Sequence, residues 1–450
     1  MSIYFNIIKW IVVVYLLFMG MFYLILPNYY PSLAHSLFQI GESLLILFFA
    51  YFLLRKDISI PSLTIGLMFY LVILIGSYRL FNYSYLGNWL AVGVDGKTYT
   101  RVATEFASGH YPLSFLLGFF KQKQIMFDDY GMCSITSFVF WFFGSHIGFH
   151  LLPFFSIIPI LTGGYLLMKI CKMYVADEQL SMFLYFVWCT MTYSAYNCSV
   201  GLKENYMVCL VITSVYFLCR CTHVLSLPNI AFFALFASSL LLFRTALCYM
   251  LFASLLAVMA MKLELFGRRF IFWFVLAVVA SILLFSTIVD YIGDIRGGTT
   301  SEGVRQTYQR KMSLGGFFAP VLNIIVTLVG PIPSFVSDPV KVKYMTLFSF
   351  SSTLKLILSF GYLYSVYYAF KHKLLNLMPI IIFVFLHSLM IWSMFYSLHD
   401  RYQWPQYPFV LFLSLYGLKK FHRDYPGMTI YKCYCVFAML CIFFFNFRFI

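Results

Sequence analysis

Five short stretches of an otherwise apolar chain carry side chains able to do ionic chemistry. The first, Gly93-Val94-Asp95-Gly96-Lys97-Thr98-Tyr99-Thr100-Arg101, puts an acid and two bases within seven positions. A carboxylate held at a turn near a bilayer surface suits a general base that deprotonates a sugar hydroxyl, or a metal ligand, and flanking glycines let a substrate approach the backbone. The plainer alternative is an aspartate that opens the helix carrying Tyr99 to Phe106. Arg79, at the end of the preceding apolar run, is the second.

Gly201-Leu202-Lys203-Glu204-Asn205 is squeezed between two apolar runs with almost no loop, so its charges must lie at an interface. Lys203 and Glu204 either neutralise each other there, or Lys203 holds a phosphate while Glu204 orients it or acts as base. Arg244 is the only charge between Pro228 and Lys262. An arginine so isolated faces a partner or a polar cavity, or else snorkels to the surface. The fifth stretch, Ser397-Leu398-His399-Asp400-Arg401-Tyr402-Gln403-Trp404-Pro405-Gln406-Tyr407-Pro408, combines interfacial aromatics with an adjacent His, Asp and Arg. The planar donor fork of arginine matches phosphate oxygens, which makes Arg244 and Arg401 natural clamps, with Lys203 and Arg101 as further cations and Tyr99, His399 and Asp400 as accessory groups. Asp128 and Asp129 read as solvated loop residues, and no metal-ligand set is expected.

Something must bring these distant stretches together, and the composition says what. Of 450 residues, 62% are apolar and only 10% are charged, which excludes a water-soluble globule. The apolar runs do not alternate, which disfavours a β-barrel. They fall near 8 to 27, 36 to 54, 60 to 77, 148 to 168, 180 to 199, 205 to 220, 229 to 243, 246 to 262, 270 to 289, 347 to 370, 376 to 396, 406 to 418 and 428 to 446. The expected fold is therefore an all-α polytopic integral membrane protein of about 13 transmembrane helices, one domain over residues 1–450. The first run reads as a retained span rather than a cleaved signal.

With the N-terminus in the cytoplasm, the inner connections carry Arg55, Lys56, Lys169, Lys172, Arg220, Lys262, Arg268, Arg269, Lys371, Lys373, Lys419, Lys420 and Arg423, as the positive-inside rule requires. This holds if residues 133–143 form a juxtamembrane helix and 317–331 a half-helix or re-entrant element. Two large outer loops result, at about 77–145 and 290–344, the second made net basic by Arg305, Arg310, Lys311, Lys341 and Lys343. The net charge of +15 thus reads as topology rather than nucleic-acid binding. Most of the eleven cysteines lie in apolar runs and read as small buried hydrophobes. The span interiors read as almost free of acid and base.

The outer-loop Asp95 followed by Tyr99, the Gly-Leu-Lys-Glu turn at 201–204, Arg244 and the Arg-Tyr with spaced prolines at 401–408 resemble the pattern of O-antigen and capsule repeat-unit polymerases (Wzy-type) and of GT-C-class membrane glycosyltransferases. The resemblance implies a GT-C-like fold in a bacterial inner membrane and glycosyl transfer on its periplasmic face. Its substrate would be an oligosaccharide on polyprenyl (undecaprenyl) pyrophosphate. Other polysaccharide-assembly membrane proteins would be its partners. Arg244, Arg401 and Lys203 would grip the donor, and Asp95 or Glu204 would accept the acceptor's proton. No cofactor is expected, and no nucleotide-binding glycine loop is found. The alternatives are a GT-C transferase using a polyprenyl-phosphate sugar and, third, a lipid-linked oligosaccharide transporter or flippase.

Overall fold

The computed structural model describes residues 3–28, 32–55, 57–87, 89, 94–262, 326–330, 332–336, 346–347, 349–393 and 400–447. Every regular element among them is helical. The first half runs α1 (Ile3–Ile25), α2 (Leu33–Leu53), α3 (Ile60–Leu86), α4 (Val94–Ser108), α5 (Leu116–Gln122), α6 (Tyr130–Phe143), α7 (Ser145–Phe155), α8 (Ile157–Tyr174), α9 (Glu178–Cys189) and α10 (Thr192–Ser199). The second half runs α11 (Glu204–His223), α12 (Leu227–Ser239), α13 (Thr245–Lys262), α14 (Ser349–Lys371), α15 (Met378–Ser393), α16 (Asp400–Gln403), α17 (Tyr407–Asp424) and α18 (Thr429–Asn446). The expected span at 270 to 289 and the loop cations from Arg305 to Lys343 lie outside the described residues, as do Lys56, Arg268 and Arg269.

Seven described segments are long and apolar enough to cross a membrane: Ile3–Ile25, Leu33–Leu53, Ile60–Tyr85, Ser145–Tyr174, Glu204–His223, Leu375–Trp392 and Thr429–Asn446. The chain is thus a helical protein of membrane-embedded character. Helices α14 and α17 fall outside this group for a legible reason. Helix α14 carries Lys355 and a run of serines, and α17 ends in Lys419, Lys420, Arg423 and Asp424. Both are buried on most faces, the mark of a core helix. Their backbones meet at Gly361 and Gly417. A Cβ on Gly417 would lie 1.9 Å from the Gly361 carbonyl oxygen, and one on Gly361 would lie 2.0 Å from that of Ser414. Small residues permit such an approach where lipid supplies no hydrophobic drive between helices. Gly417→Ala is therefore expected to destabilise the bundle by about 3 kcal/mol through overpacking, read as a lowered melting temperature in detergent. An unchanged melting temperature would refute this contact.

Two expected spans are corrected. The run at 60 to 77 continues as one helix to Leu86, so Arg79 sits inside the helix rather than at a loop boundary. The run at 180 to 199 is broken between α9 and α10. Thr190 turns its hydroxyl back to the carbonyls of Phe186 (2.9 Å) and Val187 (3.2 Å), and Met191 leaves the helical region at φ −63°, ψ 117°. Back-bonding of this kind competes with the helix ladder. The resulting α10 is buried along its whole length although it contains Thr192, Ser194, Asn197 and Ser199.

Side-chain bonds fix which ends of the helices lie together. Tyr185 donates to Thr64 (3.2 Å), Tyr70 to the Thr190 carbonyl (3.3 Å) and Arg79 to the Ser199 carbonyl (3.3 Å), so α3 runs parallel to α9 and α10. At the end where α9 begins, Lys419 pairs with Asp177 (2.6 Å), Lys172 with Glu178 (2.6 Å) and Arg423 with Asp424 (3.1 Å). Tyr4 reaches Asp177 as well, which places the start of α1 at this same end. Of the described residues singled out for chemistry, Arg79, Asp95, Lys203, Glu204 and Arg401 lie together at the other end.

Candidate functional site

The site is assembled where the start of α4 meets the turn between α10 and α11. Gly96 makes the approach possible, since a Cβ there would lie 2.3 Å from the Val200 carbonyl oxygen. Asp95 occupies the first turn of α4 and Glu204 the first turn of α11, both positions that the helix dipole favours for a carboxylate. Arg401, on the single-turn α16, reaches both: its Nη2 donates to Asp95 Oδ2 and its Nε to Glu204 Oε1. One guanidinium therefore joins residues 306 and 197 positions away.

The two arms differ in exposure. The Glu204 side chain is fully enclosed, whereas those of Asp95 and Arg401 are 37% and 31% exposed. Burial works against the Arg401 charge, but the neighbouring Glu204 and Asp95 carboxylates outweigh it and hold the guanidinium well above its ordinary range. Arg401 thus stays cationic. The second oxygen of Glu204, Oε2, is buried without a hydrogen-bond partner among the described residues. A buried, half-satisfied carboxylate costs free energy and is the kind of group a hydrogen-bond donor would satisfy.

What holds Arg401 in place is aromatic. Trp404 is fully buried and stacks on Trp188 of α9 (centroids 5.0 Å apart), with Tyr193 and Tyr407 against its other sides. Beneath it, Gln403 accepts a bond from Lys355 of α14, which also donates to the Gly330 carbonyl and lies 5.0 Å from the Tyr407 ring. Arg79 is buried and anchors the opposite wall, bonding the Ser199 and Phe149 carbonyls and stacking on Phe149 and Trp89. It positions the turn that carries Lys203 and Glu204.

Lys203 and Glu204 do not neutralise each other. Lys203 instead pairs with Asp129 (2.5 Å) and donates to the Asp128 carbonyl (2.8 Å), while Tyr99 donates to the same Asp129 carboxylate (2.7 Å). The reading of Asp128 and Asp129 as solvated loop residues is therefore corrected for Asp129, which is the counter-ion of Lys203. The sequence signal was weak, because adjacent acids in a loop are usually solvated. Burial, with Asp129 and Glu204 nearby, pushes the Tyr99 phenol well above its ordinary range, so Tyr99 acts here as a donor and not as a base.

Arg244 is half-buried, its guanidinium 5.2 Å from the ring of Tyr402, beside Arg401 in sequence. No carboxylate pairs with it among the described residues. Arg101 is exposed and about 120° around α4 from Asp95, so it is not brought into the cluster. His399 lies outside the described residues, and Asp400 begins α16. His387 of α15 was not singled out by sequence. It is fully buried, bonds Gln406 through Nδ1 (3.2 Å), and lies within electrostatic range of Arg244 and Lys355. Lys355 and Glu42, the latter bonded by Tyr78 (2.6 Å), also depart from the expectation of ion-free span interiors.

Comparison with known protein families, curated proteins and solved structures finds no match. The geometry of the site offers two carboxylates sharing one arginine, a second arginine against Tyr402 with no carboxylate partner among the described residues, and a lysine–aspartate–tyrosine set that includes Lys203, the neighbour of Glu204. Gly96→Ala tests whether the close approach at Val200 places Asp95. The added methyl must push α4 outward, and a displacement of about 1 Å is expected to cost about 100-fold in any transfer reaction run by this cluster. Wild-type turnover in this variant would count against the placement.

Proposed function

We propose that the chain is an inner-membrane polysaccharide polymerase that joins polyprenyl-pyrophosphate-linked oligosaccharide repeat units. The observation that carries this reading is the Arg401 bridge between Asp95 and Glu204, set at the end of the bundle away from the Lys172, Lys419 and Arg423 pairs. The basic end faces the cytoplasm under the positive-inside rule, which puts the bridge on the periplasmic side and the N-terminus inside. About thirteen spans in a GT-C-like arrangement is the finer architecture this reading carries.

The bridge supplies a mechanism. An arriving pyrophosphate competes for the guanidinium, with Arg244 as its second clamp, because arginine forks bind phosphate oxygens at least as well as carboxylates. Loss of Arg401 leaves a carboxylate free to accept the proton of an acceptor sugar hydroxyl. The acceptor oxygen bonds to the donor's anomeric carbon as the bond from that carbon to the pyrophosphate oxygen breaks. The departing pyrophosphate takes its charge onto Arg401 and Arg244.

A GT-C transferase that uses a polyprenyl-phosphate sugar would employ the same residues, and a transporter of the lipid-linked unit is the third reading. A deletion strain separates them. Single repeat units accumulating on the carrier lipid at the outer face are expected for the polymerase. Loss of one branch sugar with chain length intact would indicate the transferase, and units retained on the cytoplasmic leaflet the transporter.

A further inference from the structure

At the opposite end of the bundle, α8, α11 and α12 enclose a groove of about 440 Å³ lined by Met173, Arg220, His223, Val224, Ser226 and Asn229. Arg220 and His223 stand in the last turn of α11, and both are exposed. Across the groove α12 begins without a side-chain cap: Ser226 makes no capping bond, and Pro228 follows in the first turn. The connection is fixed rather than loose, because buried Asn229 donates to the Val224 carbonyl (3.1 Å). A guanidinium, an imidazole, a serine hydroxyl and an uncapped helix start thus converge on one space. That combination recognises a phosphate.

Among the described residues, no acid forms an ion pair within the groove. Asp177, Glu178 and Asp424, at this same end, are paired with Lys419, Lys172 and Arg423, and no ion pair forms at Arg220 among the described residues. The rim of the groove is apolar. Val224, Leu225 and Leu227 are 64%, 52% and 80% exposed, where the membrane-spanning helix α11 passes into the shorter apolar helix α12. A soluble anion has no use for that rim, whereas acyl chains do.

We propose that this groove binds the phosphate group of an anionic phospholipid in the leaflet opposite the acid–arginine cluster. Basic pockets between helices at the cytoplasmic boundary are suited to lipid headgroups. The site is independent of the glycosyl-transfer reading, since none of its residues belongs to that cluster.

The test uses the full chain in detergent micelles supplied with equal amounts of phosphatidylglycerol and phosphatidylcholine, with retained lipid measured by native mass spectrometry. The wild type is expected to retain phosphatidylglycerol over phosphatidylcholine by roughly tenfold. Arg220→Gln with His223→Gln should abolish the preference, while Lys371→Ala with Lys373→Ala, at the same end but outside the groove, should leave it. Should the first pair fail to fold, Arg220→Lys, which keeps charge but loses the fork, is expected to cut the preference about threefold. Excess inorganic phosphate that displaces the lipid would identify free phosphate as an alternative source for the same site, and lipid retained against it would identify the lipid as the ligand. A wild type without preference, or a folded groove variant with undiminished preference, would overturn the proposal.

Discussion

Glu204→Gln is expected to slow chain extension by about 1,000-fold in a reconstituted reaction while leaving the fold intact, in line with the loss of a general base. The amide keeps the size and one acceptor oxygen of the carboxylate, and Arg401 retains its bond to Asp95, so no charge is left stranded. The effect should fall on the rate at saturating donor rather than on donor affinity, because the proton is taken in the transition state. Asp95→Asn distinguishes the two carboxylates. If the enclosed Glu204 is the base and the half-open Asp95 only seats Arg401, the aspartate variant loses donor affinity more than rate. Full activity in Glu204→Gln would transfer the role to Asp95, and full activity in both single variants and the double would remove acid–base chemistry from this cluster.

Arg401→Ala is expected to be damaging twice over. Under the proposed reaction it removes the cation that meets the leaving pyrophosphate, a loss of about 100- to 1,000-fold where preorganised charge stabilises a transition state. It also leaves the Glu204 carboxylate, whose side chain has no exposed surface, without its counter-ion. Breaking one side of a buried pair costs about 3 to 5 kcal/mol, far more than the intact pair contributes. The two losses can be separated. Pairing Arg401→Met with Glu204→Gln removes the stranded charge, so most of the melting temperature should return while activity stays lost. If Arg401→Ala melts with the wild type, the bridge does not exist in solution. If the paired variant recovers activity, Arg401 has no part in the chemistry.

The parts of this site that were legible in the sequence are those whose charge contradicts their surroundings. Lys203, Glu204 and Arg244 stand in tight turns between apolar runs and Asp95 and Arg401 in outer connections, and the alternation of basic inner turns placed them at one end before any contact was known. Asp129 was not legible, because an acid in a polar loop gives no sign that a lysine 74 positions later turns toward it. Lys355 escaped for the opposite reason. It sits within the run at 347 to 370, which reads as an ordinary span, and two of its partners, the Gly330 carbonyl and Gln403, carry no charge to mark them. Helix boundaries failed where side chains compete with the backbone. The hydropathy of 180 to 199 is continuous across the break that Thr190 and Met191 make. Arg79 was placed at a boundary because an arginine usually ends a span, yet here carbonyls and rings inside the bundle satisfy it.

The proposed reaction is a single chemical event, transfer of an oligosaccharide from polyprenyl pyrophosphate by the cluster around Arg401. The purified chain in proteoliposomes, given a lipid-linked repeat unit as both donor and acceptor, should yield a ladder of integral repeats with one polyprenyl pyrophosphate released per bond formed. Recovery of the unit unchanged by protein that melts cooperatively, or a ladder undiminished by Glu204→Gln combined with Arg401→Met, would contradict it.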